Sequence, residues 1–166
     1  MQSRKGIQTV SLESLDWIER NLLKEAKDAL EFAYSPYGEK FRVGAAVLSR
    51  NGKVITGSNV GNAAAGPSIC AERSALVRAN AEGYGQSCIT IAVIGKGDGF
   101  DTNRVTTPCG ICRQVIFEFA SRSGIGENFR IIMASTNLDK ITVATIDDLL
   151  PLAFSKNDIS ATEAAN

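Results

Sequence analysis

Residues 88–120 read CITIAVIGKGDGFDTNRVTTPCGICRQVIFEFA, and this stretch decides the fold. Residues 88–94 form a continuous apolar run, which is typical of a strand buried on both faces. Residues 95–107 are rich in Gly, Asp and Thr, so they predict a loop. The apolar positions of 109–121 recur at helical spacing. A buried strand followed by a helix indicates an α/β protein.

Strands and helices alternate on both sides of this stretch. The sequence predicts further helices at 12–33, at 70–82 and between Thr145 and Pro151, and further strands at 41–49, 53–59, 129–135 and 140–143. Asn51-Gly52 predicts a tight hairpin between the first two strands, because both positions of the favoured turn need positive φ. We expect an α/β fold, a three-layer α/β/α sandwich with a central mixed five-stranded sheet. Its two strand–helix–strand units should pair in parallel through right-handed crossovers.

Length and composition are those of a globular protein. The chain has 166 residues, 44% hydrophobic and 22% charged, which predicts a single domain over 1–166 with an ordered core at about 12–154 and a frayed last dozen residues. Eighteen Lys and Arg balance eighteen Asp and Glu, so bulk charge favours neither a nucleic-acid polymer nor a membrane as partner. The start lacks the apolar stretch of a secretory signal, and we expect a cytoplasmic protein.

Histidine is absent, and cysteine occurs four times, at Cys70, Cys88, Cys109 and Cys112. Without histidine, a Ser-His-Asp or Cys-His mechanism is excluded, as is any metal site that needs imidazole. In a reducing cytoplasm, closely spaced cysteines serve as metal ligands or redox thiols more often than as a disulfide. Cys88 begins a predicted core strand, so we expect it to be a plain buried residue.

The other three cysteines lie in two short motifs, ICAER at 69–73 and PCGICRQ at 108–114. Cys109 and Cys112 are three residues apart at a predicted helix start, where both can hold one ion and the helix dipole favours thiolate. With Cys70 as third ligand, one tetrahedral position stays open, as in a catalytic zinc site. We predict one Zn²⁺ per chain on these three residues; a structural zinc site and plain buried thiols are the alternatives.

Glu72 and Arg73 follow Cys70 closely. If Cys70 lies at the helix entrance and Glu72 in the first turn, the carboxylate lies near the ion without binding it. There it can take a proton from water and deliver it to the substrate. Arg73 is placed to hydrogen-bond the thiolates and draw off their negative charge. A glutamate that merely favours the helix dipole and a surface arginine are the alternatives, and Arg113 has no assigned role.

Several short motifs occur in order between about Ser35 and Phe154. They are SPY at 35–37, FRVGAA at 41–46, GSNV at 57–60, the two cysteine motifs, and LLP at 149–151. In this order they resemble the cytidine deaminases, in their small all-cysteine form. The general signature of zinc deaminases has histidine as the first ligand, and here that position is Cys70.

The resemblance implies the hydrolytic deamination of a cytosine nucleoside at C4, which releases ammonia and leaves the uracil form. Glu72 would shuttle the proton and contact N3 of the ring, and the Ala71 backbone N–H would contact the ring carbonyl. Phe41 would stack on the base, and Asn59 would hold a sugar hydroxyl. The small members form homotetramers, in which Phe154 would cap the site of a neighbouring subunit; a homodimer is the alternative.

One loop departs from the family's pattern. Where the family reads Asn-x-Glu-Asn-Ala-Ser/Cys-Tyr, this chain has Gly61 in place of the glutamate and Ala65 in place of the tyrosine. The glutamate grips the 3′-hydroxyl of the sugar, and such a hydrogen bond is worth roughly 1.5–3 kcal/mol. We therefore expect weaker binding of plain cytidine and deoxycytidine, and a substrate whose substituent on N1 differs or is less tightly specified.

Three other functions stay open. The first is detoxification of a cytosine nucleoside antibiotic such as blasticidin S, whose deaminases resemble this family and also lack that glutamate. The second is a non-catalytic nucleoside-binding protein, which would not need the proton shuttle at Glu72. The third is a deaminase of RNA or DNA, against which the zero net charge argues.

Overall fold

The computed structural model describes residues 6–38 and 40–159, with only the backbone described at Glu127. These residues hold seven strands of one mixed sheet, which are β1 (Gln8–Val10), β2 (Arg42–Ser49), β3 (Val54–Ser58), β4 (Cys88–Gly97), β5 (Phe100–Asp101), β6 (Arg130–Ala134) and β7 (Ile141–Thr145). The α-helices are α1 (Trp17–Asp28), α2 (Ala71–Ala81), α3 (Gly110–Arg122), α4 (Ile146–Leu149) and α5 (Lys156–Ile159). Short 3-10 turns occur at Leu12–Ser14, Ala29–Phe32 and Gly126–Asn128.

Helices cover both faces of the sheet, which confirms the predicted three-layer sandwich. On one face, Leu22 of α1 packs in a buried cluster with Ala46 and other strand residues. On the opposite face, Leu76 of α2 and Ile116 of α3 pack with Val47 in a second buried cluster. Successive residues along a strand belong to the two clusters in turn, because successive side chains point to opposite faces of the sheet.

The sheet has two strands more than the five predicted. Its order is β1-β7-β6-β4-β2-β3, and β5 pairs with β4 beside this path. β1 has three residues and β5 has two, so neither is long enough to show an alternating pattern in the sequence. The prediction of a loop over the whole of 95–107 is wrong, because β4 continues to Gly97 and turns back into β5.

One of the two predicted parallel pairs forms. β4 and β6 are parallel, with Ile91 opposite Ile131. The predicted pairing of β3 with β4 is wrong, because β2 lies between them and pairs antiparallel with both. β2 is buried from Gly44 to Ser49, and this burial places it inside the sheet rather than at its edge.

The hairpin between β2 and β3 forms at the predicted place with a different turn. Gly52 has a φ of +87°, whereas Asn51 does not adopt positive φ. The Ser49 N–H donates to the Lys53 carbonyl at 2.9 Å, and the Gly52 N–H donates to the Ser49 carbonyl at 2.9 Å. The loop therefore has three residues, and only its glycine needs the left-handed conformation.

The predicted helix over 12–33 is wrong as a single element. α1 begins at Trp17 because Asp16 caps it: the Asp16 carboxylate accepts from the Glu19 N–H at 2.8 Å, and Glu19 accepts in return from the Asp16 N–H at 3.3 Å. The residues before and after α1 form 3-10 turns instead. A capping box inside the amphipathic pattern thus sets the boundary that periodicity alone misses.

The ends of α2 and α4 follow the sequence signals. Gly83 has a φ of +89° just past α2, and the Tyr84 N–H returns to the Ala79 carbonyl at 2.8 Å. Thr145 and Asp148 form a capping box at the start of α4. α5 forms within the last dozen residues, where fraying is expected, and residues 160–166 lie outside the described residues. No helix in the described ranges combines the length and apolar character that a membrane span requires.

α2 approaches the sheet closely at β3. An ideal Cβ built on Gly57 would lie 2.3 Å from the Ala75 nitrogen and 2.7 Å from the Ala71 carbonyl oxygen. Only glycine fits between these two backbones. Gly57 therefore sets how near the first turn of α2, which carries Glu72, stands to the sheet.

Candidate functional site

Three cysteine sulfurs meet where α2 and α3 begin. The Sγ atoms of Cys70, Cys109 and Cys112 all lie within 4.8 Å of one another, and those of Cys70 and Cys109 are 3.8 Å apart. Cys88 lies elsewhere, buried in β4 as predicted. The structure thus brings together the three cysteines that the sequence selected.

The local backbone explains how these sulfurs converge. Cys70 and Cys109 are the N-cap residues of α2 and α3, each with extended backbone (φ −75°, ψ 156° and φ −67°, ψ 169°), and neither uses its side chain as a cap. Cys112 lies in the first turn of α3 and is buried. The positive ends of two helix dipoles therefore face the sulfurs and favour their thiolate forms.

The sulfur cluster fits a zinc ion. Tetrahedral Zn²⁺ with Zn–S bonds of about 2.3 Å separates its sulfurs by about 3.8 Å. The Cys70–Cys109 separation of 3.8 Å matches this spacing. Hydrogen bonding from the Cys112 thiol holds the pKa of Cys70 well below its ordinary value, which favours the thiolate form of this sulfur. Three soft protein ligands would leave the fourth position open for chemistry.

Glu72 lies beside the cluster. It is the second residue of α2 and only 3% exposed, and its carboxyl group interacts with the Cys112 thiol. Burial raises the pKa of Glu72 to about 7, and the negative charge of Cys70 adds to the rise. A carboxyl group in such surroundings can hold a proton or release it near neutral pH, as a general acid–base residue must.

Arg73 lies beside the sulfur cluster. Its Nη2 donates to the Ser68 carbonyl at 3.0 Å, and its guanidinium interacts with the sulfurs of Cys70 and Cys112. Its Nε is buried and has no hydrogen-bond partner in the part of the chain that the structure describes. The guanidinium therefore brings positive charge to the sulfurs, which a three-thiolate metal site needs.

A cavity of about 520 Å³ opens beside the sulfurs and Glu72. Phe41, Asn59 and Gly61 line it, so three of the residues expected to contact substrate share one cavity with Cys70 and Cys109 of the metal cluster. Ala65 lines it as well. The individual contacts of these residues with a substrate stay predictions.

Asn59 has a further task that the sequence did not reveal. Its side-chain oxygen accepts from the Val43 N–H at 2.7 Å, and its side-chain nitrogen donates to the Phe41 carbonyl at 3.2 Å. The amide therefore holds the start of β2, and with it the Phe41 backbone, at the rim of the cavity.

Two of the residues predicted to contact substrate do not line the cavity. Ala71 is buried as the first residue of α2, where its backbone N–H has no partner within the helix. Phe154 is 62% exposed, and its carbonyl accepts from the Gln114 side chain at 2.8 Å. Within a single chain Phe154 thus belongs to the surface, and its predicted role at a neighbouring subunit stays a prediction.

The sequence analysis missed the residues behind Phe41. An ideal Cβ on Gly95 would lie 2.5 Å from the Thr106 hydroxyl and 2.7 Å from the Phe41 ring. The Thr136 hydroxyl donates to the Gly95 carbonyl at 2.6 Å. The sequence predicts a loop at Gly95, whereas the residue lies within β4. No local signal marks it, since the close approach arises only when β4 and the residues before β2 come together.

Comparison with known proteins identifies this arrangement. The family model of the cytidine and deoxycytidylate deaminase zinc-binding region matches residues 17–125, which contain the three cysteines and Glu72. The chain belongs to this family. Its cofactor is therefore zinc, and the Cys70, Cys109 and Cys112 cluster is compatible with one ion.

Individual members of the deaminase family are similar to this chain over most of its length. The cytidine deaminase of Halalkalibacterium halodurans is 40% identical over 139 residues, which cover 84% of this chain and 96% of that protein. The crystal structure of cytidine deaminase from Burkholderia pseudomallei has a TM-score of 0.70 and 40% identity, covering 81% of this chain and 97% of that one. A blasticidin-S deaminase of Bacillus cereus is 28% identical over 138 residues, which cover 82% of this chain and 91% of that protein.

Proposed function

We propose that the chain is a zinc-dependent hydrolase that deaminates a cytosine nucleoside. Water supplies the oxygen that becomes bonded to C4, the C4–N4 bond breaks, ammonia leaves and a uracil nucleoside remains. The observation that carries this proposal is a buried carboxyl group, Glu72, that lines one cavity with Cys70 and Cys109, two members of the three-cysteine cluster. Two relatives of the chain that are named cytidine deaminase, each 40% identical to it, support the same reaction.

The residues of the chain divide the chemistry among them. Zinc, when bound to Cys70, Cys109 and Cys112, acts as a Lewis acid that makes water a nucleophile at neutral pH. Glu72 takes the proton from the attacking water and delivers it to the substrate, first at N3 of the ring. Arg73 offsets part of the negative charge of the sulfurs.

The base is held by groups around the cavity. Ala71 does not itself line the cavity, but it lies between Cys70 and Glu72, which do. Its backbone N–H donates to the ring carbonyl, because the first N–H groups of a helix have no partner within it. Phe41, 36% exposed and supported by Gly95, stacks on the ring. Asn59 holds a sugar hydroxyl with the hydrogen-bonding capacity that its bonds to β2 leave over.

The sugar end of the cavity lacks a carboxylate where the family has one. Gly61 lines this end, and its N–H donates to the Tyr34 carbonyl at 2.6 Å. Glu72 is the sole acidic residue among the described lining residues. We propose that the substituent on N1 of the substrate is bound less tightly than an unmodified ribose is bound by relatives with the glutamate.

A substituted Gly61 tests this specificity. Gly61→Glu should raise kcat/KM for cytidine relative to other substrates by about one order of magnitude, the equivalent of one carboxylate–hydroxyl bond. An added Cβ would lie 3.1 Å from the Tyr34 carbonyl oxygen, so Gly61→Ala is the control for crowding alone. If Gly61→Glu leaves the ratio of substrates unchanged, the specificity proposal fails.

A substrate panel separates the deaminase function from its alternatives. Zinc-loaded protein is followed by ultraviolet absorbance on cytidine, deoxycytidine, cytosine, 5-substituted cytidines, adenosine and blasticidin S, with Glu72→Ala as the blank. Turnover of cytidine or deoxycytidine supports a salvage role, and turnover of blasticidin S alone supports detoxification. Silence on every cytosine compound would contradict the deaminase proposal and favour a nucleoside-binding protein.

We also propose a cytoplasmic homotetramer that acts on small molecules. A reducing compartment keeps the three thiols available for zinc. Leu152 is fully exposed and Phe154 is 62% exposed in the single chain, which favours their burial against another subunit. Sedimentation should give four chains per particle, and Phe154→Ala should raise KM. A monomer with full activity would contradict this assembly.

A further inference from the structure

Arg113 makes two hydrogen bonds that join three segments of the chain. Its Nε donates to the Pro108 carbonyl at 3.0 Å, and its Nη1 donates to the Leu149 carbonyl at 2.9 Å. The side chain is half-buried, and it comes directly after Cys112 on α3. One planar guanidinium thus connects α3, the residue before Cys109 and the last residue of α4.

The bond to Pro108 bears on the zinc ligand that follows. The Pro108 carbonyl and the Cys109 nitrogen belong to the same rigid peptide unit. Holding that carbonyl therefore holds the φ angle of Cys109, which is −67°. Cys109 is exposed and is not yet within the helix, so its own surroundings restrain its sulfur less than burial restrains Cys112.

The bond to Leu149 holds the guanidinium in turn. The Leu149 carbonyl lies at the end of α4, where a helix leaves carbonyl groups without internal partners. A guanidinium has a rigid fork of donors that can serve both carbonyls at once, whereas an ammonium group cannot reproduce this geometry. α4 thereby supports the side chain that supports Cys109.

We propose that Arg113 is a positioning residue of the zinc site, which orients Cys109 through the Pro108–Cys109 peptide and is itself fixed by α4. The role concerns the metal ligands and does not depend on the identity of the substrate. Partners of metal ligands typically change metal affinity 10- to 100-fold when replaced. Without Arg113, the sulfur of Cys109 should bind zinc in a less defined orientation.

Zinc release from the full zinc-loaded chain tests this role. Arg113→Gln should release zinc to a coloured chelator about tenfold faster than the unchanged protein. Arg113→Lys keeps the charge and most of the aliphatic chain, so it carries the test if the glutamine variant fails to fold. It should also release zinc several-fold faster, because its single ammonium cannot hold both carbonyls.

Two variants on the same helix serve as matched controls. Arg122→Gln removes a guanidinium that donates to the Asn80 side chain at 2.8 Å at the far end of α3. Gln114→Ala removes the donor to Phe154 but leaves Pro108 untouched. Both should release zinc within about twofold of the unchanged protein.

The absorption spectrum of the cobalt-substituted protein gives a second measurement, which a general loss of stability would not change. With Co²⁺ in place of zinc, the visible bands report the geometry of the thiolate ligands, and they should shift in both Arg113 variants and in neither control. Unchanged release and unchanged bands in the Arg113 variants would overturn the proposal. Zinc release from Arg122→Gln as fast as from Arg113→Gln would overturn it as well. So would zinc release from Arg113→Lys as slow as from the unchanged protein. None of these readings uses a substrate, so they stand apart from any failure of the deaminase proposal.

Discussion

The substitution Gly57→Ala tests whether the close packing of α2 on β3 positions the site. It adds one methyl group between β3 and α2. The added Cβ would lie 2.3 Å from the Ala75 nitrogen and 2.8 Å from the Ala75 Cα. Ordinary contacts begin near 3.4 Å, so the helix must move away from β3 by about 1 Å. Both neighbouring atoms are backbone atoms, and no side-chain rotation can relieve the contact.

The displacement has two measurable consequences. Overpacking of this kind costs about 1–3 kcal/mol of the free energy of unfolding. The first turn of α2 carries Glu72, and Cys70 precedes it, so the shift also moves a zinc ligand and the acid–base residue. A misplacement of about 1 Å in a catalytic group can lower the rate about 100-fold.

Urea unfolding and kcat/KM of zinc-saturated protein measure these effects. Gly66→Ala is the control, because an added Cβ there meets nothing within 4 Å and the residue does not have positive φ. We expect Gly57→Ala to lose stability and activity and Gly66→Ala to keep both. A Gly57→Ala protein with unchanged stability and activity would refute the close packing of α2 on β3.

Further predictions concern single residues outside the zinc site. Burial raises the pKa of Cys88 to about 11, so very little of this thiol is ionised at pH 8, and zinc-loaded native protein should react with a disulfide reagent far more slowly than denatured protein. Rapid reaction at Cys88 in the native state would contradict its burial. Thr145→Ala removes the cap of α4 and should lower the free energy of unfolding by about 1 kcal/mol in urea titration. Gly95→Ala should raise KM with little loss of folding, since its Cβ would displace the Phe41 ring; an unchanged KM would show that the ring does not contact substrate.

The zinc cluster could be predicted because its residues follow local rules. Cys109 and Cys112 are three residues apart at a helix start, and Cys70 opens another helix, so motif spacing and helix signals contain the necessary information. The position of Glu72 in the first turn follows from the same helix boundary. Local sequence therefore predicts a site that is built on two helix entrances.

The parts that the sequence did not predict depend on contacts between distant segments. β1 is recognisable only through its antiparallel pairing with β7, and the place of β2 between β3 and β4 depends on competition among strands. The bonds from Asn59 to the start of β2, and from Arg113 to Pro108, join residues whose meeting no local pattern encodes. Such contacts arise from tertiary packing, which overrides local propensity.

The most direct test of the deaminase proposal compares unchanged protein with Glu72→Gln at equal zinc content on the best substrate of the panel. The amide keeps the size of the side chain but cannot accept and return a proton, so kcat should fall by about 10²- to 10⁴-fold while zinc stays bound. Glu82→Gln, at the exposed end of α2, should keep full activity. A Glu72→Gln protein that holds one zinc per chain and turns over within a few-fold of the unchanged protein would contradict the role of Glu72.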